Sequence, residues 1–277
     1  MRMLICDCVA SSISAISFAM SAMASPTRAQ IGPPDLIADL VTANHILYDQ
    51  GVVDGFGHVS VRNPANPGRF FLSRARAPSM VEAADIMEFD LDGKPTGGPM
   101  NKPVFQELYI HAEVFRARPD VNGVVHSHSP AVVPFGVVKT PFRPVSQTGA
   151  FLCAGVPNFD LRDDFPDAPN LLVTSGPKGA ALAKKLGDRP VALMRGHGDT
   201  VAGASLKEAV YLAIFTEVAA RLTTQAIALA QGGPVIYMGD HEGERGQPGS
   251  RSKGASEGID RNWEIWAAEA VERRARR

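Results

Sequence analysis

Cysteine, tryptophan and net charge are all scarce in this chain. Its 277 residues hold three cysteines, of which Cys6 and Cys8 lie at the start and Cys153 stands alone. No C-x-x-C or other ligand spacing arises, so neither a disulfide framework nor a thiolate metal centre is expected. Cys153 reads as a small packed residue. A formal net charge of −1 leaves no basis for expecting nucleic acid or an anionic membrane as partner. The apolar run within the first thirty residues is too broken and too short for a membrane span, and no internal repeat implies a solenoid or propeller. With only two tryptophans, Trp263 and Trp266, the WEIW segment should be a short ordered element that buries them. The length suits one large core.

The first residues form a separate problem. MRMLICDCVASSISAISFAMSAMASPTRAQ has an early Arg2, an apolar small-residue middle and Ala22-Met23-Ala24 before a possible cut. This pattern is that of a secretory leader over 1–29, although Asp7 interrupts it. Export to the periplasm is expected if the leader works, and a cytoplasmic location otherwise. The remainder divides into a main domain at 30–238, a polar Gly/Ser-rich linker at 239–258 and a C-terminal segment at 259–277 that packs on the domain or on a neighbouring subunit.

Three histidines carry the chemistry. His126 and His128 end the apolar run of VVHSHSP, where a strand should stop, and side chains two apart on a strand share a face. His197 follows Val191–Met194 and is bracketed by Gly196 and Gly198. Such histidines can be merely buried and hydrogen-bonded. Three of them at strand ends can instead hold one ion with a coordination position left open, as catalytic metals require. Upstream, Val104–Arg116 has a helical apolar pattern, with Pro103 at its first turn and Pro119 as its stop. Glu107 and His111 would stack on one face of that helix. Glu107 is either a solvated first-turn glutamate or a ligand, general acid or general base. His111 reads as a packing or supporting residue.

The remaining pattern alternates. Helices are expected from Asp35 (as cap) to Gln50, at 178–186 and from Ser205 to Gln231, the last with a Ser205/Glu208 capping box. Pro130–Lys139 should be a further helix or an apolar turn. Strands are expected at GHVSVR, Phe70–Ser73, Ile86–Asp90, 121–128, Asn170–Val173 and Val191–Met194, with a turn at Asp92-Gly93.

The ordered series P-x-x-x-E-x-x-x-H, R-P-D-V-x-x-V-V-H-x-H-S and R-G-H-G resembles the class II aldolase and adducin family, over roughly residues 35–235. The resemblance implies an α/β fold, a three-layer α/β/α sandwich on a central, largely antiparallel mixed sheet. It also implies one divalent ion (Zn, Mn, Fe or Co) on His126, His128 and His197, with Glu107 as the acid/base group. A small-molecule substrate and a homotetramer are implied as partners. SRARAP, DIMEFDLDG, PFRPV and WEIW resemble a decarboxylase branch that acts on hydroxylated aromatic or pyridine dicarboxylates.

In FFLSRARAPSM, Ser73, Arg74 and Arg76 replace the loop with which sugar-phosphate aldolases hold phosphate, and guanidinium groups suit a carboxylate. The arginines can also pair with Asp85 or Glu82. Gln147 stands after RPV where that branch carries histidine, and it cannot shuttle a proton at neutral pH. The expected function is thus a metal-dependent carbon–carbon lyase that decarboxylates a hydroxylated aromatic acid. Retro-aldol cleavage is the alternative, followed by a non-catalytic adducin-like module or an iron oxygenase.

Overall fold

The computed structural model describes residues 32–168, 170–246 and 254–276, and side chains outside 244–256. The expected leader at 1–29 lies outside the described residues. In chain order the elements begin with α1 (Pro34–Asp49), β1 (His58–Arg62), β2 (Arg69–Ser73), β3 (Ile86–Asp90), β4 (Pro95–Gly97), α2 (Leu108–Ala117) and β5 (Gly123–Ser127). They continue with β6 (Asn158–Phe159), α3 (Leu161–Asp164), α4 (Gly176–Leu186), β7 (Val191–Met194), β8 (Gly198–Gly203), α5 (Leu206–Leu229), α6 (Asp240–Gly246) and α7 (Gly254–Ala275).

The strands form one sheet in the order β4-β3-β2-β1-β5-β8-β7-β6. Every pairing is antiparallel except β6 with β7. Period-2 alternation splits the core into two. Val59, Val61, Phe71, Val125 and Val201 face α1 and α5, while Phe70, Leu72, Phe89, Val124 and Ala202 face α2 and α4. Both faces are therefore covered, giving the expected three-layer α/β/α sandwich on a largely antiparallel mixed sheet.

Local chemistry sets the element ends. Ser205 caps α5 by accepting the Glu208 N–H at 3.1 Å. The Glu208 carboxylate reaches one residue further back than in a capping box and accepts the Ala204 N–H at 2.7 Å. At α1 the cap is Pro33, with Pro34 at the first helical position and Asp35 inside the first turn.

Four expectations need correction. Helix α2 starts at Leu108, because Val104 and Phe105 leave the helical path to line a cleft. Asn170–Val173 is no strand: the Val173 N–H is spent on a carboxylate, that of Glu107, instead of a ladder. Part of the polar 239–258 stretch is helical, since α6 occupies Asp240–Gly246 and α7 begins at Gly254. WEIW belongs to that 22-residue α7, where Trp263 is buried. Trp266 lies 6.4 Å from Tyr211 and 6.1 Å from Phe215, so α7 packs on α5.

Candidate metal centre

β5 and β8 run side by side, with His126 opposite Thr200 and Ser127 opposite Asp199. His126 sits inside β5 and His128 just past its end. His197 sits in the turn joining β7 to β8, where Gly196 takes φ +63 and the His197 N–H bonds Met194 O at 3.0 Å. A Cβ on Gly198 would fall 1.9 Å from Ser127 O, so only glycine lets β8 approach β5 at the site. Glu107 occupies the N-cap position of α2, its side chain making no capping bond.

These elements bring four donors together. Nε2 of His128 lies 3.2 Å from Nε2 of His126 and 3.1 Å from Nε2 of His197. Glu107 Oε2 is 3.7 Å from His126 Nε2 and 3.4 Å from His197 Nε2. All four ligand atoms lie within 4.8 Å of one another. A tetrahedron with ligand distances of about 2.0–2.1 Å has edges of about 3.3 Å, and the four contacts of 3.1–3.7 Å lie near that value, as a site for one small divalent ion requires. The His126 Nδ1–H donates to Asp199 O at 2.9 Å. That bond fixes the tautomer and turns a bare Nε2 lone pair toward its neighbours.

The protonation states suit a cation. Burial holds His126 at about 3 and His128 below its usual range, so both are neutral ligands at neutral pH. Burial also pushes Glu107 upward. His197, His126 and the Val173 N–H, 2.8 Å from Oε1, outweigh it and leave the carboxyl at about 2, ionised. Beneath the cluster, Asp199 is held up at about 7 by burial and by nearby Glu217, against a hydrogen bond from Ser127. Ser129 in turn bonds Glu217.

Glu107, His126 and His128 line a cleft of about 590 Å³, together with Phe56, His58, Arg76, Val104, Phe105 and Leu172 among others. Mostly apolar walls with few polar groups suit a flat organic ligand. The remaining expected site residues divide. Asp85 gathers Arg74 Nε at 2.7 Å and Arg76 Nη1 at 2.6 Å. Burial raises this carboxyl, but the Glu82 N–H and both arginines bring it below its usual value. Arg76 still lines the cleft and Arg74 does not. Ser73 is fully buried at the end of β2, its hydroxyl without a partner among the described residues.

Gln147 is exposed in a 3-10 turn that packs on α5, and it does not line the cleft. Buried Phe142, Phe151 and Leu152 tie that segment to the core on the α5 side. His111 is not one of the four donors; it bonds His58 and Ser60 at 2.6 Å each. Sequence reasoning passed over His58 and Asp199. Their signals were present, in the strand pattern of GHVSVR and in the residue two past His197.

Fold and site together define an α/β sandwich with a candidate divalent-metal centre at one end of its sheet. The chain belongs to the class II aldolase and adducin family, whose Class II Aldolase and Adducin N-terminal domain matches residues 38–224. It is 33% identical over 248 residues to "Decarboxylase tropJ" of Talaromyces stipitatus, covering 84% of this chain and 93% of that protein. It is 37% identical over 199 residues to "3,4-dihydroxyphthalate decarboxylase" of Arthrobacter keyseri, covering 67% of this chain and 76% of that one. An L-fuculose 1-phosphate aldolase structure from Glaciozyma antarctica shares the fold at TM-score 0.69 and 20% identity, covering 86% of this chain and 90% of that one. Relatives of these kinds support a lyase.

Proposed function

We propose that the protein decarboxylates a hydroxylated aromatic or heteroaromatic carboxylate, using one divalent ion (Zn, Mn, Fe or Co) held by His126, His128 and His197. The observation that carries this reading is the convergence of three imidazoles and an ionised carboxylate beside an apolar cleft. Similarity to proteins named as decarboxylases supports the same class of substrate.

When bound, the ion supplies Lewis-acid stabilisation of the charge that develops on the substrate oxygens. Glu107, ionised before substrate binds, takes the proton of the ring hydroxyl on Oε2. Glu107 hands that proton to the ring carbon bearing the carboxylate, so one carboxylate serves as base and then as acid. The bond to the carboxyl carbon then breaks, CO₂ leaves and its electron pair passes through the ring to the oxygen that stays. Phe56 and Phe105 offer flat walls to the ring. Arg76, braced by Asp85, offers its guanidinium to a second carboxylate. Arg74 is left a bracing role.

Assembly as a homotetramer and export by the 1–29 leader, with residence in the periplasm (otherwise the cytoplasm), belong to the same reading. Retro-aldol cleavage of a sugar phosphate is its competitor. The metal-loaded protein should release CO₂ from hydroxyarene carboxylates such as 3,4-dihydroxyphthalate and no aldehyde from phosphorylated ketoses. The reverse pattern would move the assignment to the aldolases.

A further inference from the structure

Beside the four donors stands a fifth polar group that the chemistry above leaves idle. His58 opens β1, opposite His126 across the β1–β5 pairing, and its ring lies 4.4 Å from that of Phe105. It lines the cleft. Its Nδ1 is 2.6 Å from Nε2 of His111, whose Nδ1 is 2.6 Å from the Ser60 hydroxyl. With Nδ1 committed, Nε2 is the ring nitrogen left for a ligand in the cleft.

The direction of this chain of hydrogen bonds follows from Ser60. Its hydroxyl is fully buried and, among the described residues, His111 is its partner and no other is seen. Were the hydroxyl to accept from His111, its own hydrogen would be buried unpaired, the costlier of the two defects. Ser60 therefore donates to His111 Nδ1, and His111 Nε2–H donates to His58 Nδ1. The proton of His58 then sits on Nε2. Both rings are buried.

We propose that His58 is a substrate-binding residue whose Nε2–H, oriented by the Ser60–His111 relay, donates to the oxygen that stays on the ring when the substrate loses CO₂. This rests on the decarboxylase reading for the identity of the ligand, while the orientation of the relay does not. A donor on the departing carboxylate would lose its bond as neutral CO₂ forms, favouring the ground state. A donor on the retained oxygen gains strength as charge arrives there. A neutral N–H can do this beside a metal ion, where an imidazolium would be repelled.

The test uses the full chain loaded with Zn and labelled with ¹⁵N-histidine. The His58 signal, assigned by its loss in His58→Asn, should report the Nε2–H tautomer at neutral pH, and Ser60→Ala should blur it toward a mixture. With 3,4-dihydroxyphthalate, His58→Phe should lower kcat about 100-fold, with KM within about threefold and zinc still near one per chain. His58→Asn, which keeps an N–H donor, should recover part of that loss and covers the case in which the phenylalanine variant does not fold. An Nδ1–H tautomer, a kcat within threefold of wild type, or loss of zinc in both His58 variants overturns the proposal. If wild type releases no CO₂ from any hydroxyarene carboxylate, the decarboxylase reading fails, and the proposal's ligand with it. The histidine spectrum then still decides the orientation of the relay.

Discussion

Glu107 carries the heaviest demand of any single residue. It is buried, ionised and within reach of two histidines, and its second oxygen is tied to the Val173 N–H. Glu107→Gln should lower turnover between 10²- and 10⁴-fold while the three histidines keep metal near one per chain. Turnover within tenfold of wild type in a metal-replete variant would remove Glu107 from the chemistry. The buried imidazoles also predict acid sensitivity in the metal-free protein. His58, His111, His126 and His128 all have their protonated forms disfavoured in the fold. The unfolded chain takes up protons near pH 6.5, and the folded rings resist until about 3. Stability therefore rises with pH across that window, is complete above it and is lost on acidification. Asp199, held up at about 7, works in the opposite sense between about 4 and 7. The urea midpoint should thus fall from pH 7 to pH 5, and more steeply in Asp199→Asn. A midpoint indifferent to pH would contradict the neutral-histidine account. At this scale the three ligand histidines and Glu107 were legible, because their types and spacing carry the chemistry. His58 was not: a lone histidine on a strand reads as packing until His111 and Ser60 are seen behind it.

At the scale of elements, the histidine geometry is a product of strand pairing. β5 and β8 adjoin in space but are far apart in sequence, so sequence can propose that His197 closes the site and only the sheet can bring it there. Strong periodic segments such as α5, and strands rich in Phe, Leu, Ile and Met such as β2 and β3, were readable from pattern alone. The start of α2 was not, because contacts in the cleft override helix propensity at Val104 and Phe105. Asn170–Val173 misled for a similar reason: its apolar run looks like a strand, yet Val173 serves Glu107. The β6–β7 pairing involves two residues of β6, too few for a periodic signal. The C-terminal segment packs on the domain, as one of its two expected placements had it, and none of its described residues lines the cleft. Trp263 is buried in the cluster built on α1 and α5, with Lys207 Nζ 5.5 Å from its ring. Trp263→Ala should therefore cost about 3 kcal/mol of stability, in the range of large aromatic truncations. Metal content should be unaltered and kcat nearly so. A variant of unchanged stability and impaired kcat would return α7 to the active site.

For the whole molecule, the sandwich is a rigid frame that fixes donors from β5, the β7–β8 turn and the α2 cap in one place, leaving a cleft at the end of the sheet. Cleft walls of aromatic and aliphatic groups with one braced arginine favour a planar anion over a polyhydroxylated sugar. The family admits both kinds of chemistry, so the claim that matters joins metal to reaction. The measurement is CO₂ release from 3,4-dihydroxyphthalate and related hydroxyarene carboxylates while the metal-free full chain is titrated with Mn or Zn. The account predicts a rate that climbs with added metal, levels off at one ion per chain and is abolished in a His126→Ala/His128→Ala double variant. A rate independent of metal, or undiminished in that variant, would contradict it.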